Sequence, residues 1–411
     1  MLRWIIFICL YGIIDFYAFQ SFKTVTKSNW VYGVYWFLSV LVIGNFIYNY
    51  YGFNRRDGFS HANAFAFGFF IAILIPKMVL LMVMLSEDLF RLPQAIFRYF
   101  TEGDSAKGNY FASRRAFISK IALGIAAIPF ASIIYGIYKG KYNYKVLKYT
   151  LSFDDLPEAF DGYKITQLSD IHSGSFDDVE KVKYAIDLIN EQESDVILFT
   201  GDMVNNKAEE MKPFMDIFSK LHAKDGKYSV LGNHDYGDYL HWDSEEDKRQ
   251  NLEDLKSIQK AIGFDLILND SRYLEKDGQR IALVGVENWG AGGFKKAGDL
   301  KKAIQKIEAN DFKVLMSHDP SHWEKQVIDD SYHYHLTLSG HTHGMQFGIE
   351  IPGWFKWSPV KWRYKYWAGI YEEMGQYINV NRGFGYLAFP GRVGIWPEIT
   401  VIELKKGVAK A

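Results

Sequence analysis

The chain has a single cysteine among its 411 residues, Cys9, and this cysteine lies inside an apolar run. A disulfide bond within the chain is therefore excluded. The sequence also lacks an excess of charge of either sign, because 47 Lys and Arg residues stand against 48 Asp and Glu residues. A net charge of −1 provides no basic surplus of the kind that binds nucleic acid, so we expect no nucleic-acid partner.

Long apolar runs are missing from the larger part of the chain, beyond about residue 140. Before that point there are four such runs, each close to the ~20 residues that a helix needs to cross a bilayer. They are Leu2–Phe19, Trp30–Tyr51, Ala62–Leu85 and Ala116–Tyr138. A buried core helix would explain one run but not four in succession. We therefore predict a membrane domain with four transmembrane helices at residues 1–140 and a second domain at residues 141–411.

The distribution of Lys and Arg predicts how this membrane domain is oriented. The loop 86–115 contains five of these residues, whereas the opposite side has Arg3, Arg55 and Arg56. Because short cytoplasmic loops are enriched in Lys and Arg, the second domain is expected on the extracytoplasmic side of a bacterial inner or cell membrane. The segment Ser113–Lys120 resembles a twin-arginine export signal, although a basic flank of the fourth span explains it equally well. Both interpretations predict the same orientation.

Beyond residue 141, short apolar runs alternate with charged helical stretches, a pattern typical of an α/β domain. Five of these runs end in a cluster of polar residues. The clusters are Asp170-Ile171-His172, Gly201-Asp202, Gly232-Asn233-His234-Asp235, Ser317-His318 and Gly340-His341-Thr342-His343. Buried strands have this apolar character, and α/β proteins bind ligands beyond the carboxyl ends of their strands. We therefore expect one fold to bring all five clusters to one rim.

The residue types in these clusters are suited to metal binding. Asp, Asn and His offer oxygen and imidazole donors, which suit manganese, iron, zinc or cobalt. The Asp-x-His and His-x-His spacings put two donors on one short turn, and the neighbouring glycines allow sharp turns and close approach. The other histidines are interpreted as ordinary core or surface residues: His61, His222, His241, His322, His333 and His335.

In order and spacing, the five clusters resemble the signature of the calcineurin-like metallophosphoesterase superfamily, over roughly residues 150–405. The apolar runs, together with Asn381–Gly385 and Arg392, resemble the branch of transmembrane proteins with a metallophosphoesterase domain. That branch is similar to bacterial membrane phosphodiesterases and to UDP-2,3-diacylglucosamine hydrolases. The resemblance implies a four-layer α-β-β-α sandwich behind the transmembrane helices. It also implies a hydrolase that acts on phosphoric ester bonds.

The resemblance further implies a role for each residue of the clusters. Seven ligands would hold two divalent transition-metal ions, with manganese preferred: Asp170, His172 and His343 for the first ion, Asn233, His318 and His341 for the second, and Asp202 as the bridge. His234 would face the scissile phosphate as a catalytic residue, and Asp235 would orient it. Two ions ~3.5–4 Å apart can share a hydroxide and aim it at phosphorus. The expected function is hydrolysis of a phosphodiester or phosphate ester, of a lipid or glycolipid in particular.

An aromatic and basic run at Trp354–Trp367 follows the last cluster. Mixed Trp, Tyr, Lys and Arg residues suit a lipid headgroup boundary, which predicts a loop that contacts membrane lipids or a lipid-linked substrate. The alternative is an aromatic loop that packs on its own domain. The sequence favours neither interpretation.

Two other function classes compete with the hydrolase. A membrane-anchored binding or regulatory module could use a non-catalytic metallophosphoesterase fold, but the complete ligand set argues against it. A channel or transporter could use Asp15 and Lys77, which lie within apolar runs, as intramembrane charges. A UDP-diacylglucosamine substrate would require a cytoplasmic active site, and the predicted orientation conflicts with this requirement.

Overall fold

The computed structural model describes residues 2–54, 58–102, 110–351 and 354–407. It divides into two compact units. The first comprises Met1–Phe53 and Ser60–Ile137, and the second comprises Asn54–Phe59 and Tyr138–Ala411. Three basic residues that entered the orientation argument lie outside the described residues: Arg55, Arg56 and Lys107.

The described residues of the first unit form four long helices. Its helices, within the described residues, are α1 (Leu2–Val25), α2 (Asn29–Tyr51), α3 (His61–Glu102) and α4 (Tyr110–Tyr138). Each contains a segment that is long and apolar enough to cross a membrane, which confirms the four predicted spans. Large apolar side chains remain exposed around these helices, including Leu10, Phe37 and Ile128. Such all-round apolarity is expected of helices whose surroundings are lipid rather than water.

The two charged residues of the apolar runs form a buried ion pair inside this unit. The Nζ atom of Lys77 lies 2.7 Å from a carboxylate oxygen of Asp15. The same ammonium donates hydrogen bonds to the hydroxyls of Tyr11, at 2.9 Å, and Ser39, at 2.8 Å. All three donors of the lysine are therefore satisfied by neighbouring helices. Ionisable residues in a membrane usually pair in this way, which gives both charges a structural explanation.

The second unit contains two mixed six-stranded sheets and a small hairpin among its described residues. Its strands are β1 (Lys145–Phe153), β2 (Lys164–Leu168), β3 (Val196–Phe199), β4 (Lys227–Ser229), β5 (Asp265–Leu266), β6 (Asp270–Lys276), β7 (Gln279–Gly285), β8 (Lys313–Met316), β9 (Leu336–Ser339), β10 (Ile349–Ile351), β11 (Phe355–Trp357), β12 (Gly369–Glu373), β13 (Gln376–Val380) and β14 (Glu398–Lys406). The first sheet has the order β1-β14-β2-β3-β4-β5, and the second has the order β12-β13-β9-β8-β7-β6.

Helices cover the outer faces of both sheets. They are α5 (Val179–Asn190), α6 (Met215–Phe218), α7 (Glu245–Ala261), α8 (Leu300–Ala303) and α9 (Pro320–His322). The N-terminus of α5 is capped by Asp178, whose side chain accepts a hydrogen bond from the backbone of Lys181. Ser244 caps α7 in the same way. Capping residues of this kind satisfy backbone N–H groups that a helix end leaves without a partner.

Three apolar cores separate the layers. One lies between the sheets and includes Leu198 and Val314. A second packs α5, α6 and α7 against the first sheet, and a third packs α8 and the segment around Trp323 against the second sheet. The result is the predicted four-layer α-β-β-α arrangement. Strands β3, β8 and β9 are buried along their whole length, as expected for strands that are covered on both faces.

The strand order determines where the polar clusters meet. Strands β2, β3 and β4 are parallel neighbours in the first sheet, and β8 and β9 are parallel neighbours in the second. Each of the five is followed directly by one of the clusters found in the sequence. The carboxyl ends of parallel strands lie at the same edge of their sheet. The His341 N–H donates to Asp170 at 2.9 Å and His318 Nδ1 lies 2.8 Å from the Thr200 carbonyl, so the edges of the two sheets meet and the five clusters converge.

Candidate metal centre

The backbone of the clusters is tightly turned. Five residues with predicted ligand roles have a left-handed backbone conformation: Asp170 (φ 52°), His172 (φ 48°), Asp202 (φ 61°), His341 (φ 70°) and His343 (φ 50°). This conformation is uncommon for residues other than glycine, and strained positions of this kind concentrate at functional sites. Here the turns direct several side chains from each strand end into one place.

Two glycines permit the close packing of these turns. A Cβ atom on Gly232 would lie 2.2 Å from a carboxylate oxygen of Asp202. A Cβ atom on Gly340 would lie 2.2 Å from a carboxylate oxygen of Asp170. No side chain fits at either position, which explains why glycine precedes Asn233 and His341.

The first group of possible ligands consists of Asp170, His172 and His343, and all three are buried. The Nε2 atom of His343 lies 3.1 Å from an oxygen of Asp170 and 3.0 Å from the Nε2 atom of His172. Two imidazole nitrogens that converge at this distance suit a common ion, since each would sit ~2.0–2.1 Å from it.

The second group consists of Asp202, His318 and His341, with the amide of Asn233 between them. The Nε2 atom of His318 lies 3.1 Å from Asp202 Oδ2 and 3.1 Å from Asn233 Oδ1. The Nδ1 atom of His341 lies 2.7 Å from the same amide oxygen. Asp202 Oδ2 is also 3.6 Å from the Nε2 atom of His172 in the first group. The carboxylate of Asp202 therefore faces both groups, and the seven residues predicted as ligands lie together.

His234 lies beside the first group without belonging to it. Its ring centroid is 4.9 Å from that of His172 and 4.4 Å from that of Tyr239. Its Nδ1 atom lies 2.7 Å from the carbonyl oxygen of Asn205. Because a carbonyl only accepts, Nδ1 carries the proton and Nε2 remains for other partners. Burial lowers the pKa of this imidazole, and the charge of Asp202 opposes that effect.

The expectation that Asp235 orients the His234 ring does not match these hydrogen bonds. The Asp235 carboxylate instead accepts three backbone N–H groups, from Asp202, Met203 and Gly232, at 2.8–2.9 Å. Burial raises its pKa to about 7, and the charge of Asp202 adds to the shift. Asp235 therefore fixes the loops that carry Asp202 and Asn233. The ring of His234 is oriented by a main-chain carbonyl, which a residue pattern does not reveal.

Three further side chains contact the histidines from outside the ligand groups, and sequence reasoning assigned none of them to the site. Asp319 Oδ2 lies 3.3 Å and Tyr364 Oη 2.8 Å from the Nε2 atom of His341. Arg392 Nη2 lies 3.2 Å from the Nδ1 atom of His343. Asp319 follows His318 directly in the chain, and this adjacency was the one local signal that pointed to it.

Two histidines interpreted as ordinary core residues are buried with partners on both ring nitrogens. His322 contacts the hydroxyl of Ser317 and the amide of Gln326. His335 accepts from the backbone of Lys313 and contacts Asp155. Their separation from the two ligand groups agrees with that interpretation.

The two groups of possible ligands open into a cavity of about 470 Å³. Polar groups of Asp202, His234 and His341 line it, together with the apolar side chains of Phe294 and Trp362. The cavity therefore combines a charged floor with aromatic walls, which is the usual build of a small-molecule site.

Comparisons with known proteins match both units. The family model for the transmembrane domain of calcineurin-like phosphoesterases matches residues 2–141, and the calcineurin-like phosphoesterase model matches residues 163–345. The chain is 31% identical over 274 residues to the metallophosphoesterase YkuE of Bacillus subtilis, with coverage of 66% of this chain and 89% of that protein.

Two other similar proteins cover about the same share of the chain. The chain is 28% identical to the phosphodiesterase YaeI of Escherichia coli, with coverage of 71% of this chain and 99% of that protein. It is 26% identical to a transmembrane protein with metallophosphoesterase domain from Danio rerio, with coverage of 66% of this chain and 60% of that protein. The chain belongs to the calcineurin-like metallophosphoesterase family, as an integral membrane hydrolase of phosphoric ester bonds that depends on divalent metal ions.

Proposed function

We propose that this protein hydrolyses a phosphodiester or phosphate ester of a lipid or glycolipid at a centre of two metal ions. One observation carries the proposal. Two groups of ligand atoms face the single carboxylate of Asp202, and they lie beside His234 at the floor of an aromatic cavity.

The ligand set supports two ions of the manganese or iron class, with zinc and cobalt as alternatives. It contains oxygen and imidazole donors and no thiolate, which suits these metals. We assign the first ion to Asp170, His172 and His343. We assign the second ion to Asn233, His318 and His341, with Asp202 shared between the two. Bound at these positions, two divalent ions would supply positive charge for the phosphate and lower the pKa of an attacking water.

His234 and Asp235 contribute to the proposed hydrolysis in different ways. The carbonyl of Asn205 holds the proton on Nδ1 of His234, so we assign Nε2 to the substrate. In its protonated form this nitrogen would stabilise charge on the equatorial phosphoryl oxygens or protonate the leaving oxygen. Asp235 contributes indirectly, because its three backbone contacts hold the loops of Asp202 and Asn233.

A set of exposed apolar side chains supports an amphiphilic substrate. We call it the aromatic rim, and it consists of Met345, Ile349, Ile351, Trp354, Phe355 and Trp362. Trp362 is 76% exposed and lines the cavity, and its ring lies 5.9 Å from that of Trp357 in the hairpin β10–β11. Exposed apolar patches beside a cavity typically mark a binding surface. Exposed Lys361 and Arg363 lie on the same segment, where they would suit an anionic headgroup.

The hairpin that carries Trp354 is anchored to the core. Glu350 of β10 accepts two hydrogen bonds from the guanidinium of Arg382, at 2.5 and 3.0 Å. Arg382 also pairs with the buried Glu398 at 2.5 Å. Strand β10 of this hairpin is therefore joined to the buried Glu398 through Arg382.

We also infer that the catalytic domain lies outside the cytoplasm, in accordance with the distribution of Lys and Arg between the loops. A reporter fused to the C-terminus of the full chain tests this inference. An extracytoplasmic reporter is the expected result, and a cytoplasmic one would contradict the inference.

The proposed activity is tested with the full chain in lipid nanodiscs and added Mn²⁺. Hydrolysis of a lipid phosphodiester is measured beside that of a short-chain analogue. We expect turnover of both and a lower KM for the lipid. Asp202→Ala serves as the inactive control. An enzyme that processes the two substrates with equal KM would contradict the lipid assignment, and a complete lack of turnover would contradict the catalytic one.

A further inference from the structure

The two ligand groups differ in the number of carboxylates that they contain. The first has Asp170 as its own carboxylate and faces the shared Asp202 as well. The second has only the shared Asp202, since Asn233 is neutral. On the ligands alone, the first position should hold a divalent ion considerably more tightly than the second, because each carboxylate adds one negative charge in a buried site.

A buried carboxylate lies behind the second ligand group, which has only the shared carboxylate of Asp202. The Nδ1 atom of His341 points to Asn233, so in the tautomer that can bind an ion the proton is on Nε2. Nε2 faces two acceptors, Tyr364 Oη at 2.8 Å and Asp319 Oδ2 at 3.3 Å. Asp319 is fully buried, and among the described residues its Oδ2 atom makes no hydrogen bond, so its 3.3 Å contact with His341 is one of charge. Its second oxygen caps α9 through the backbone of Ser321.

A buried cation lies behind the first ligand group, which has two carboxylates. The Nε2 atom of His343 faces Asp170 and His172, so in the tautomer that can bind an ion through Nε2 the proton is on Nδ1, which lies 3.2 Å from Arg392 Nη2. The guanidinium is fully buried, and Nη2 already donates to the carbonyls of Arg382, at 2.8 Å, and Gly385, at 2.6 Å. Both N–H groups of Nη2 are thus used, and the contact with His343 is one of charge.

We propose that Asp319 and Arg392 are positioning residues that level the affinities of the two metal positions by acting on the ligands His341 and His343. A carboxylate behind a metal-binding imidazole makes it a better donor, and a cation makes it a poorer one. Asp319 therefore strengthens the position that has fewer carboxylates. Arg392 weakens the position that has more. Both positions fill over a narrow range of metal concentration.

This inference rests on the proposed two-metal centre but not on the proposed substrate. Its test measures metal binding and not hydrolysis. The metal-free full chain in nanodiscs is titrated with Mn²⁺ by calorimetry, and electron paramagnetic resonance at two equivalents distinguishes coupled ion pairs from single ions. A protein that binds as described but hydrolyses no phosphoester would contradict the proposed function and leave the inference standing.

Three variants are compared with the wild type. Asp319→Asn keeps the shape and a capping oxygen but removes the charge. It is expected to lower the affinity for the ion at the second position, which contains His341, by ~10–100-fold. At two equivalents of Mn²⁺ the spectrum should then be that of single ions. Tyr364→Phe removes the other acceptor without a change of charge and is expected to keep the coupled spectrum. Arg392→Gln is expected to raise the affinity for the ion at the first position, which contains His343. The difference between the two affinities then becomes larger.

Several results would overturn the inference. They are an Asp319→Asn titration that matches the wild type, an equal weakening of both ions, or a Tyr364→Phe effect as large as that of Asp319→Asn. The wild-type titration provides a test that needs no variant to fold. Two ions that differ in affinity by more than about 100-fold would also overturn it, because this is the gap that Asp319 and Arg392 are proposed to close.

Discussion

The Nδ1 atom of His234 lies 2.7 Å from the main-chain carbonyl oxygen of Asn205. A main-chain partner keeps the ring in one tautomer without adding a charge beside the metal groups. His234 is thereby held next to the ligands but is not one of them, and this separates its expected contribution from theirs.

We expect His234→Ala to lower kcat by ~10²–10⁴-fold, the usual contribution of a general acid or base, while two metal ions remain bound. Asp202→Ala should lose both activity and metal, because its carboxylate faces both ligand groups. Rates and elemental analysis of each purified variant provide the measurement. His222→Ala, at an exposed histidine, is the matched control and should behave as the wild type. Loss of metal from His234→Ala as severe as that from Asp202→Ala would contradict these roles.

Asp235→Ala should reduce stability as well as activity. The substitution leaves three buried backbone N–H groups without an acceptor, and each such loss costs roughly 1–3 kcal/mol. Asp235→Asn keeps one acceptor oxygen and should lie between the wild type and the alanine variant. Thermal unfolding of the metal-free proteins is the measurement, with His234→Ala as a comparison that should melt close to the wild type. Full stability of Asp235→Ala would show that the loops do not need this carboxylate.

The aromatic rim should matter for lipid substrates and not for soluble ones. Each Trp offers ~150–250 Å² of surface, so burial of about a third of the surface of Trp354 and Trp362 would contribute a few kcal/mol at ~25 cal/mol per Å². We expect the double change to Ser to raise KM for a lipid phosphodiester at least ~10-fold and to leave KM for a short-chain analogue unchanged. Met374→Ser is the control, because Met374 is equally exposed but belongs neither to the cavity lining nor to the aromatic rim. An equal effect on both substrates would assign the rim to packing.

Removal of metal should abolish activity and lower the melting temperature of the catalytic domain. Ligands that bind only the folded state stabilise it, and two ions held by buried residues should do so strongly. Chelation followed by Mn²⁺ addition is expected to restore turnover and about two ions per chain, as measured by elemental analysis. Less than one ion per chain after saturation with Mn²⁺ would contradict the two-ion centre.

The sequence by itself determined the features that depend on local pattern. Four apolar runs of membrane-spanning length predicted helices α1–α4, because span length is a property of the run and not of its neighbours. The apolar runs that end in Asp, Asn and His predicted both the strands and the residues that now lie together. Parallel strands that end in polar turns leave few other arrangements.

Tertiary structure decided the features that depend on contacts between distant segments. Asp235 holds backbone N–H groups about thirty residues away, and Arg392 reaches His343 across 49 positions. In the aromatic run, Trp362 is 76% exposed and Trp367 only 4%, although both belong to one composition pattern. Side-chain type reveals what a residue can bind. Which atoms it meets, and whether it faces solvent, follows only from how the layers pack around it.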